Sequence, residues 1–88
     1  MIADFMKIFE EFGAMKEQDP ASAKTQAQVK KLQAHITEHF YHCTDEILFS
    51  LGKMYAGGGE FTDNIDKMGG AGTAEFVYKA IKVYCGSH

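Results

Sequence analysis

The sequence predicts an all-α domain built from four or five helices. Apolar residues recur at steps of three and four along most of the 88-residue chain, which is the period of helices that bury one face. No stretch alternates apolar and polar residues as a half-buried strand does, and the chain shows no internal repeat. The connections between the periodic stretches are short. These observations indicate one helical domain over residues 1–88.

The first helix is predicted to begin near the start of the chain and to end by Gln18. Its expected buried face carries five large apolar residues at helical spacing, which are Ile2, Phe5, Met6, Phe9 and Phe12. Asp19 and Pro20 match the N-cap and the first position of a new helix, where proline needs no hydrogen-bond partner. The second helix is therefore predicted from about Pro20 to Tyr41.

The second helix changes character along its length. Its first half, ASAKTQAQ, is small and polar and is expected to be largely solvated. An apolar face begins only in the second half, with Val29, Leu32, Ile36 and Phe40. We expect only that half to pack against the rest of the domain.

Thr44 marks the start of a third helix, because its hydroxyl can cap the helix and two acids follow in the first turn. The stripe predicted to be buried is Ile47, Leu48, Leu51, Met54 and Tyr55. The consecutive glycines Gly57–Gly59 should end this helix, since glycine loses more backbone entropy than any other residue on folding.

Residues 62–85 contain one helix or two. Thr62 is predicted to cap the next helix, with Asp63 and Asp66 in or near its first turn. The glycines at 69, 70 and 72 either break the chain or form the close-packing face of one long helix, and the break is favoured. The last helix is predicted to end with Gly86 and to carry on one side Thr73, Phe76, Val77, Ala80, Ile81 and Tyr84.

Composition excludes several classes of function. The chain has no arginine, and it contains nine lysines and twelve acidic residues, which give a net charge of −3. Direct contact with a nucleic acid is therefore not expected. No apolar run approaches the roughly 20 residues that cross a bilayer, and the N-terminus lacks the features of a signal peptide. We therefore expect a cytoplasmic protein without membrane contact. Its two cysteines should be free thiols.

Three histidines and a cysteine are the clearest candidates for chemistry. His35, His39 and His42 are predicted to share one helical face, next to Cys43, and the group could hold zinc or haem. Such a trio without a second cysteine cluster is more often an ordinary structural feature, so no metal or cofactor is predicted. Cys43 lies before a helix N-terminus and beside His42, and both favour a reactive thiolate, although burial would make the thiol inert.

Nothing in the sequence supports an enzyme, because no catalytic constellation or phosphate-binding loop is present. Seven Phe, four Tyr and five Met favour either an apolar ligand pocket or an ordinary core. Three functions remain open at this point. They are a ligand-binding domain, a metal- or haem-binding helical protein that uses His35, His39 and His42, and an interaction module that binds a partner helix.

Three long stretches add a more specific indication. They are DPASAKTQAQVKKLQAHITEHF, FYHCTDEILFSLGKMY and FTDNIDKMGGAGTAEFVYKAIKVYC, and the most specific patterns within them are L-G-x-M-Y and F-T-x-N-I-D-K. In this order, from about Phe5 to Cys85, the chain resembles the TipAS-type antibiotic-recognition domain. This domain is the effector-binding module of thiostrepton-induced, MerR-like transcription activators.

The resemblance implies a globin-like fold, here a small orthogonal bundle, that binds large hydrophobic antibiotics such as thiopeptides. It also implies a link to promoter activation through an N-terminal winged-helix DNA-binding domain. These 88 residues contain no such domain, so the chain is expected to be a fragment or an independently made effector domain. Some family members capture the drug through a cysteine thiolate, and the corresponding position here is Cys43 or one near Ser50.

We therefore predict a regulatory domain that binds hydrophobic, antibiotic-like molecules. The pocket is expected where the first helix meets residues 40–67, with six lining residues: Phe40, Tyr41, Cys43, Met54, Tyr55 and Phe61. The predicted partners are the small molecule and a MerR-like DNA-binding domain, either fused or separate.

Overall fold

Five α-helices follow one another in the computed structural model, which describes residues 2–86 and, in the first helix, side chains from Phe5 onward. They are α1 (Ile2–Ala14), α2 (Ala23–His39), α3 (Asp45–Ala56), α4 (Glu60–Gly69) and α5 (Thr73–Tyr84). Residues 2–86 contain no strand, and none of their helices is long and apolar enough to span a bilayer. The all-α prediction is confirmed, while the globin-like arrangement stays a prediction. The predicted burial of Ile2 lies outside the described side chains.

One hydrophobic core receives side chains from all five helices. α3 packs most extensively on α5, α1 packs on α4 and α2, and α2 also contacts α5. The largest fully buried apolar side chains are Phe9, Phe12, Val29, Leu32, Leu48, Val77 and Ile81. Complete burial of each such side chain contributes about 1.5–3 kcal/mol to folding.

α1 and α4 cross at a pair of glycines. A methyl group added to Gly13 would overlap the backbone of Gly69, with its Cβ only 2.6 Å from the Gly69 carbonyl carbon. The two backbones therefore touch without an intervening side chain. Through this close approach α1 packs directly on α4. Its buried residues are Ile8, Phe9 and Phe12, whereas Met6 is 40% exposed, so the prediction that Met6 is buried is wrong.

α2 begins later than predicted. Asp19 Oδ1 accepts a hydrogen bond from the Ala21 N–H (2.8 Å) and the Asp19 carbonyl accepts one from the Ser22 N–H (2.9 Å), so Asp19 and Pro20 form a turn. Ser22 is the actual N-cap, and its hydroxyl accepts from the Thr25 N–H (3.2 Å). The capping chemistry was predicted correctly but was assigned to the wrong residue.

The first half of α2 is not wholly solvated. Thr25 and Gln28 are buried, and Gln28 Nε2 donates hydrogen bonds to the Ile8 carbonyl (3.2 Å) and to Glu11 Oε1 (2.9 Å). The expected packing face holds for Val29, Leu32 and Ile36 but not for Phe40. α2 ends at His39, so the side chain of Phe40 leaves that face.

α3 begins as predicted, because the Thr44 hydroxyl accepts from the Ile47 N–H (3.2 Å). Its buried face is rotated from the predicted stripe. Leu48, Gly52 and Tyr55 are buried, whereas Ile47 and Met54 are exposed and Leu51 is half-buried. A Cβ at Gly52 would lie 3.2 Å from side-chain atoms of Ile81 and Tyr78, so the missing side chain lets α5 pack closely on this side of α3.

The turn between α3 and α4 is fastened by Thr62, which is not the predicted cap. α4 begins at Glu60 with Gly59 in the cap position. The Thr62 hydroxyl donates to the Tyr55 carbonyl (2.6 Å) and accepts from the Gly58 N–H (2.9 Å). Gly58 and Gly59 have φ angles of 84° and 95°, a region that residues with a Cβ atom disfavour.

The favoured break between α4 and α5 is confirmed. Gly70 and Gly72 have φ angles of 99° and 90°, and Asp66 Oδ1 accepts a hydrogen bond from the Ala74 N–H (2.9 Å). A carboxylate from the end of α4 thereby caps the start of α5. The predicted buried side of the last helix is also correct, with Tyr84 half-buried and the others buried.

Candidate functional site

Three aromatic contacts join α1, the end of α2, and α3. The ring centroid of Phe5 lies 5.9 Å from that of Phe40 and 5.1 Å from that of Phe9, and Phe9 lies 5.4 Å from Tyr55. All three pairs meet edge to face, so that the positive edge of one ring points at the negative face of the next. We call Phe40, Phe5, Phe9 and Tyr55 the aromatic column. It leads from an exposed ring, Phe40, to two buried ones, Phe9 and Tyr55.

Two of the six predicted lining residues, Phe40 and Tyr55, belong to this column. Burial is the main cause that raises the pKa of the Tyr55 phenol, and the charges of Tyr41 and Cys43 raise it further. Tyr41 and Cys43 therefore lie in the neighbourhood of Tyr55. Met54 precedes Tyr55 on the exposed side of α3. Phe61 lies in the first turn of α4, beyond the glycine turn.

Large apolar side chains are exposed on the elements around the column. Within the described part of the chain they are Met6, Phe40, Tyr41, Ile47, Met54, Phe61 and Val83. All except Val83 lie on α1, in the connection from α2 to α3, on α3, or in the first turn of α4. Single exposed apolar residues are normal. Only a contiguous apolar patch indicates an interaction or ligand site, and within this set Phe40 is the residue in direct contact with the column.

Cys43 is buried in the connection between α2 and α3. Its N–H donates to Thr37 Oγ1 (3.1 Å) and its carbonyl accepts from Gln33 Nε2 (2.9 Å). Burial, with the Asp45 carboxylate second, raises the pKa of the Cys43 thiol. Of the two alternatives left open by the sequence, a thiolate favoured by the helix N-terminus and His42 or an inert buried thiol, these observations agree with the second. Its place among the lining residues stays a prediction.

The three histidines do not share one helical face. α2 ends at His39, so His42 lies in the connection that follows. His35 and His39 are one turn apart, and their ring centroids are separated by 4.4 Å. Among the side chains that the structure describes, no three His, Cys, Asp or Glu residues converge as metal ligands. Of the three residues in the metal or haem alternative, only His35 and His39 lie together. That alternative stays a prediction.

Sequence reasoning missed the roles of Phe5 and His35. Phe5 was expected in the core, but it is half-buried and bridges Phe9 to Phe40. The His35 ring stacks on Phe5 with a centroid distance of 5.7 Å and an interplanar angle of 18°. The spacing of Phe5 and Phe9 indicated a shared helix face. No local pattern indicates the contact with His35, since the two residues lie on different helices.

A groove of about 420 Å³ lies between α1 and α2, beside the column. It is lined by Lys7, Ile8, Glu11, Lys31, Ala34, His35 and Glu38. Hydrogen bonds from Lys31 and Gln28 hold the pKa of Glu11 below its usual value, and Lys31 Nζ lies 2.9 Å from Glu11 Oε1. His35 lines the groove and also stacks on Phe5, so it lies between the groove and the aromatic column.

The sequence matches known proteins along nearly its whole length. The model of the family described as the TipAS antibiotic-recognition domain matches residues 1–84. The HTH-type transcriptional activator mta of Bacillus subtilis (strain 168) is 35% identical over 85 residues, which are 97% of this chain and 33% of that protein. The chain thus spans about one third of the length of this relative. No solved structure matches it. The resemblance seen in the sequence is confirmed, and the chain belongs to the family of TipAS antibiotic-recognition domains.

Proposed function

We propose that this chain is the ligand-binding part of a transcription activator and recognises hydrophobic, antibiotic-like molecules such as thiopeptides. The family supplies the class of function. The observation that carries the location is the aromatic column, which reaches the surface at Phe40. Rings of an apolar ligand can stack on Phe40 and Tyr41, while Phe5 supports Phe40 from behind.

The exposed area limits the affinity that apolar contact can supply. An aromatic side chain presents about 200 Å², so exposures of 62%, 50% and 54% at Phe40, Tyr41 and Phe61 leave roughly 100–125 Å² available on each. At about 25 cal/mol per Å², complete burial of all three contributes roughly 8 kcal/mol before the cost of association. A micromolar complex needs a net free energy of about 8 kcal/mol, and association itself costs at least about 4 kcal/mol. Even micromolar binding therefore requires contacts beyond these three rings.

The regulatory role rests on the relative, an HTH-type activator of which this chain covers about one third. We propose that binding is communicated in the cytoplasm to a MerR-like DNA-binding domain, either fused or separate. This chain does not itself contact DNA in this proposal, because it has no arginine and a net charge of −3. We propose that the ligand is held without a covalent bond to Cys43, whose thiol is buried and has a raised pKa, and that it is not converted.

A thermal-shift and calorimetric titration with a panel of thiopeptides tests this function. A ligand at 100 times its Kd stabilises the fold by about 2.7 kcal/mol, which corresponds to a rise in Tm of roughly 10–20 °C for a domain of this size. Phe40→Ala should weaken binding by about tenfold or more, because it removes the exposed end of the column. Val83→Ala is the matched control, as Val83 is an exposed apolar residue on α5.

Two results would count against the proposal. One is a folded protein that shows no shift with any thiopeptide. The other is equal loss of affinity in Phe40→Ala and Val83→Ala, which would place the ligand away from the column.

A further inference from the structure

His35 connects the aromatic column to the groove between α1 and α2. Its ring stacks on Phe5 at 5.7 Å, meets Phe40 edge to face at 6.3 Å, and lies 4.4 Å from His39. It also lines the groove. It is the polar side chain in direct contact with the rings of both Phe5 and Phe40.

The His35 Nε2 atom is buried and has no hydrogen-bond partner. Among the described side chains it is the one buried nitrogen or oxygen in this condition. Nearby polar groups are satisfied, as with Gln28 Nε2, which donates to both the Ile8 carbonyl and Glu11. An unsatisfied buried polar atom costs about 1–3 kcal/mol. Such an atom in a fold that pairs its other polar groups indicates a role other than stability.

The groove beside His35 indicates the charge of its occupant. Its lining contains the apolar residues Ile8 and Ala34 together with two lysines and two glutamates: Lys7, Lys31, Glu11 and Glu38. The charges balance, and Lys31 already pairs with Glu11 at 2.9 Å. The lining therefore favours neither an anion nor a cation. A volume of about 420 Å³ falls within the range of small-molecule sites.

We propose that His35 Nε2 is the polar anchor of the ligand site and forms a hydrogen bond with a neutral amide of an aromatic ligand. This inference rests on the proposed function and narrows the ligand class to neutral aromatic amides whose rings pack on Phe5 and Phe40. An amide offers both a donor and an acceptor, so it pairs with Nε2 in either imidazole tautomer. Because Nε2 is buried, this proposal requires the exposed ring of Phe40 to shift on binding while it stays in contact with the ligand.

The test compares three proteins, wild type, His35→Phe and Val83→Ala, by calorimetric titration with a thiopeptide and by thermal unfolding without ligand. His35→Phe keeps a flat ring against Phe5 and removes the orphaned nitrogen. It should be at least as stable as wild type when free, yet bind the thiopeptide roughly 5- to 30-fold more weakly, which corresponds to one lost hydrogen bond. Val83→Ala, an exposed residue on α5 away from the column, should stay within about twofold of wild type.

The second measurement does not depend on a variant that folds. The ¹⁵N resonance of His35 Nε2 should shift when the thiopeptide is added to wild-type protein, and that of His39 should shift less. If wild type binds but His35→Phe binds equally well, or if the Nε2 resonance stays unchanged, His35 is not the anchor while the proposed function stands. If wild type binds no thiopeptide, the proposed function fails, and the anchor with it.

Discussion

Replacing Gly13 with alanine tests how closely α1 approaches α4. In an isolated helix the change would stabilise, because alanine is favoured over glycine by roughly 0.5–1 kcal/mol. In this fold the new Cβ would lie 2.6 Å from the Gly69 carbonyl carbon, far inside the optimal carbon–carbon separation of about 3.5–4.0 Å. The obstruction is backbone, which no side-chain rotation relieves. α1 must therefore move away from α4.

The expected loss follows from two opposing terms. Overpacking of this kind costs about 1–3 kcal/mol, and the helix preference returns less than about 1 kcal/mol. Because the obstruction is backbone, we expect a cost in the upper part of this range and a net destabilisation of about 1–2 kcal/mol, which lowers Tm by roughly 4–16 °C in a domain of this size. Phe9 and Phe12 precede Gly13 on α1 and are fully buried, so their packing should loosen as well.

Thermal and urea unfolding of wild type, Gly13→Ala and Gly52→Ala measures the effect. Gly52 is the matched control, since it is also a helical glycine, but an added Cβ there meets side-chain atoms of Ile81 and Tyr78 at 3.2 Å. Those side chains can yield by a few tenths of an ångström, so Gly52→Ala should change stability by less than about 1 kcal/mol. A Gly13→Ala protein as stable as wild type would refute the close crossing of α1 and α4.

Two further predictions concern titratable groups near the column. Burial and Asp45 raise the pKa of the Cys43 thiol. In a Cys85→Ser variant, a disulfide reagent at about pH 7.5 should therefore label Cys43 far more slowly in the folded protein than in the urea-unfolded chain, and rapid labelling would contradict this. Incubation with a thiopeptide should leave the intact mass of the protein unchanged. The pKa of the Tyr55 phenol is raised in the folded protein, so as the pH rises the phenol ionises in the unfolded chain first. The free energy of unfolding therefore falls as the pH rises above about 10. Tyr55→Phe should lose less stability than wild type in urea unfolding between about pH 8 and pH 11, and identical losses would show that Tyr55 is not buried as described.

Local signals predicted the element boundaries well where one residue's own hydrogen bond or backbone freedom decides them. Thr44 caps α3 through a contact three residues away, and Gly70 and Gly72 separate α4 from α5 with positive φ angles. The same reasoning failed at Asp19 and at Thr62. Both residues have capping chemistry. The Ser22 hydroxyl caps α2 in place of Asp19, and the Thr62 hydroxyl donates to the Tyr55 carbonyl instead of capping α4.

The helix faces were predicted less accurately, because periodicity identifies an apolar side but not its rotation about the helix axis. Met6 was expected to be buried and Ile8 was not named, yet the structure reverses them. Contacts such as that between Gly13 and Gly69 are made between helices far apart in sequence, so no local pattern indicates them. At Gly52 of α3, α5 likewise packs closely, and Ile47 remains exposed.

The sequence by itself determined the all-α class, the membership of the TipAS family, and the residue types of the site, since composition, helical period and motif order are properties of the chain alone. Only the tertiary structure decided which of these residues meet. It joined Phe5 and His35 to Phe40 across two helices, and it buried Cys43, so that desolvation outweighed the local influences on its thiol. Burial and contacts between helices depend on every packed neighbour at once, which no single stretch of sequence contains.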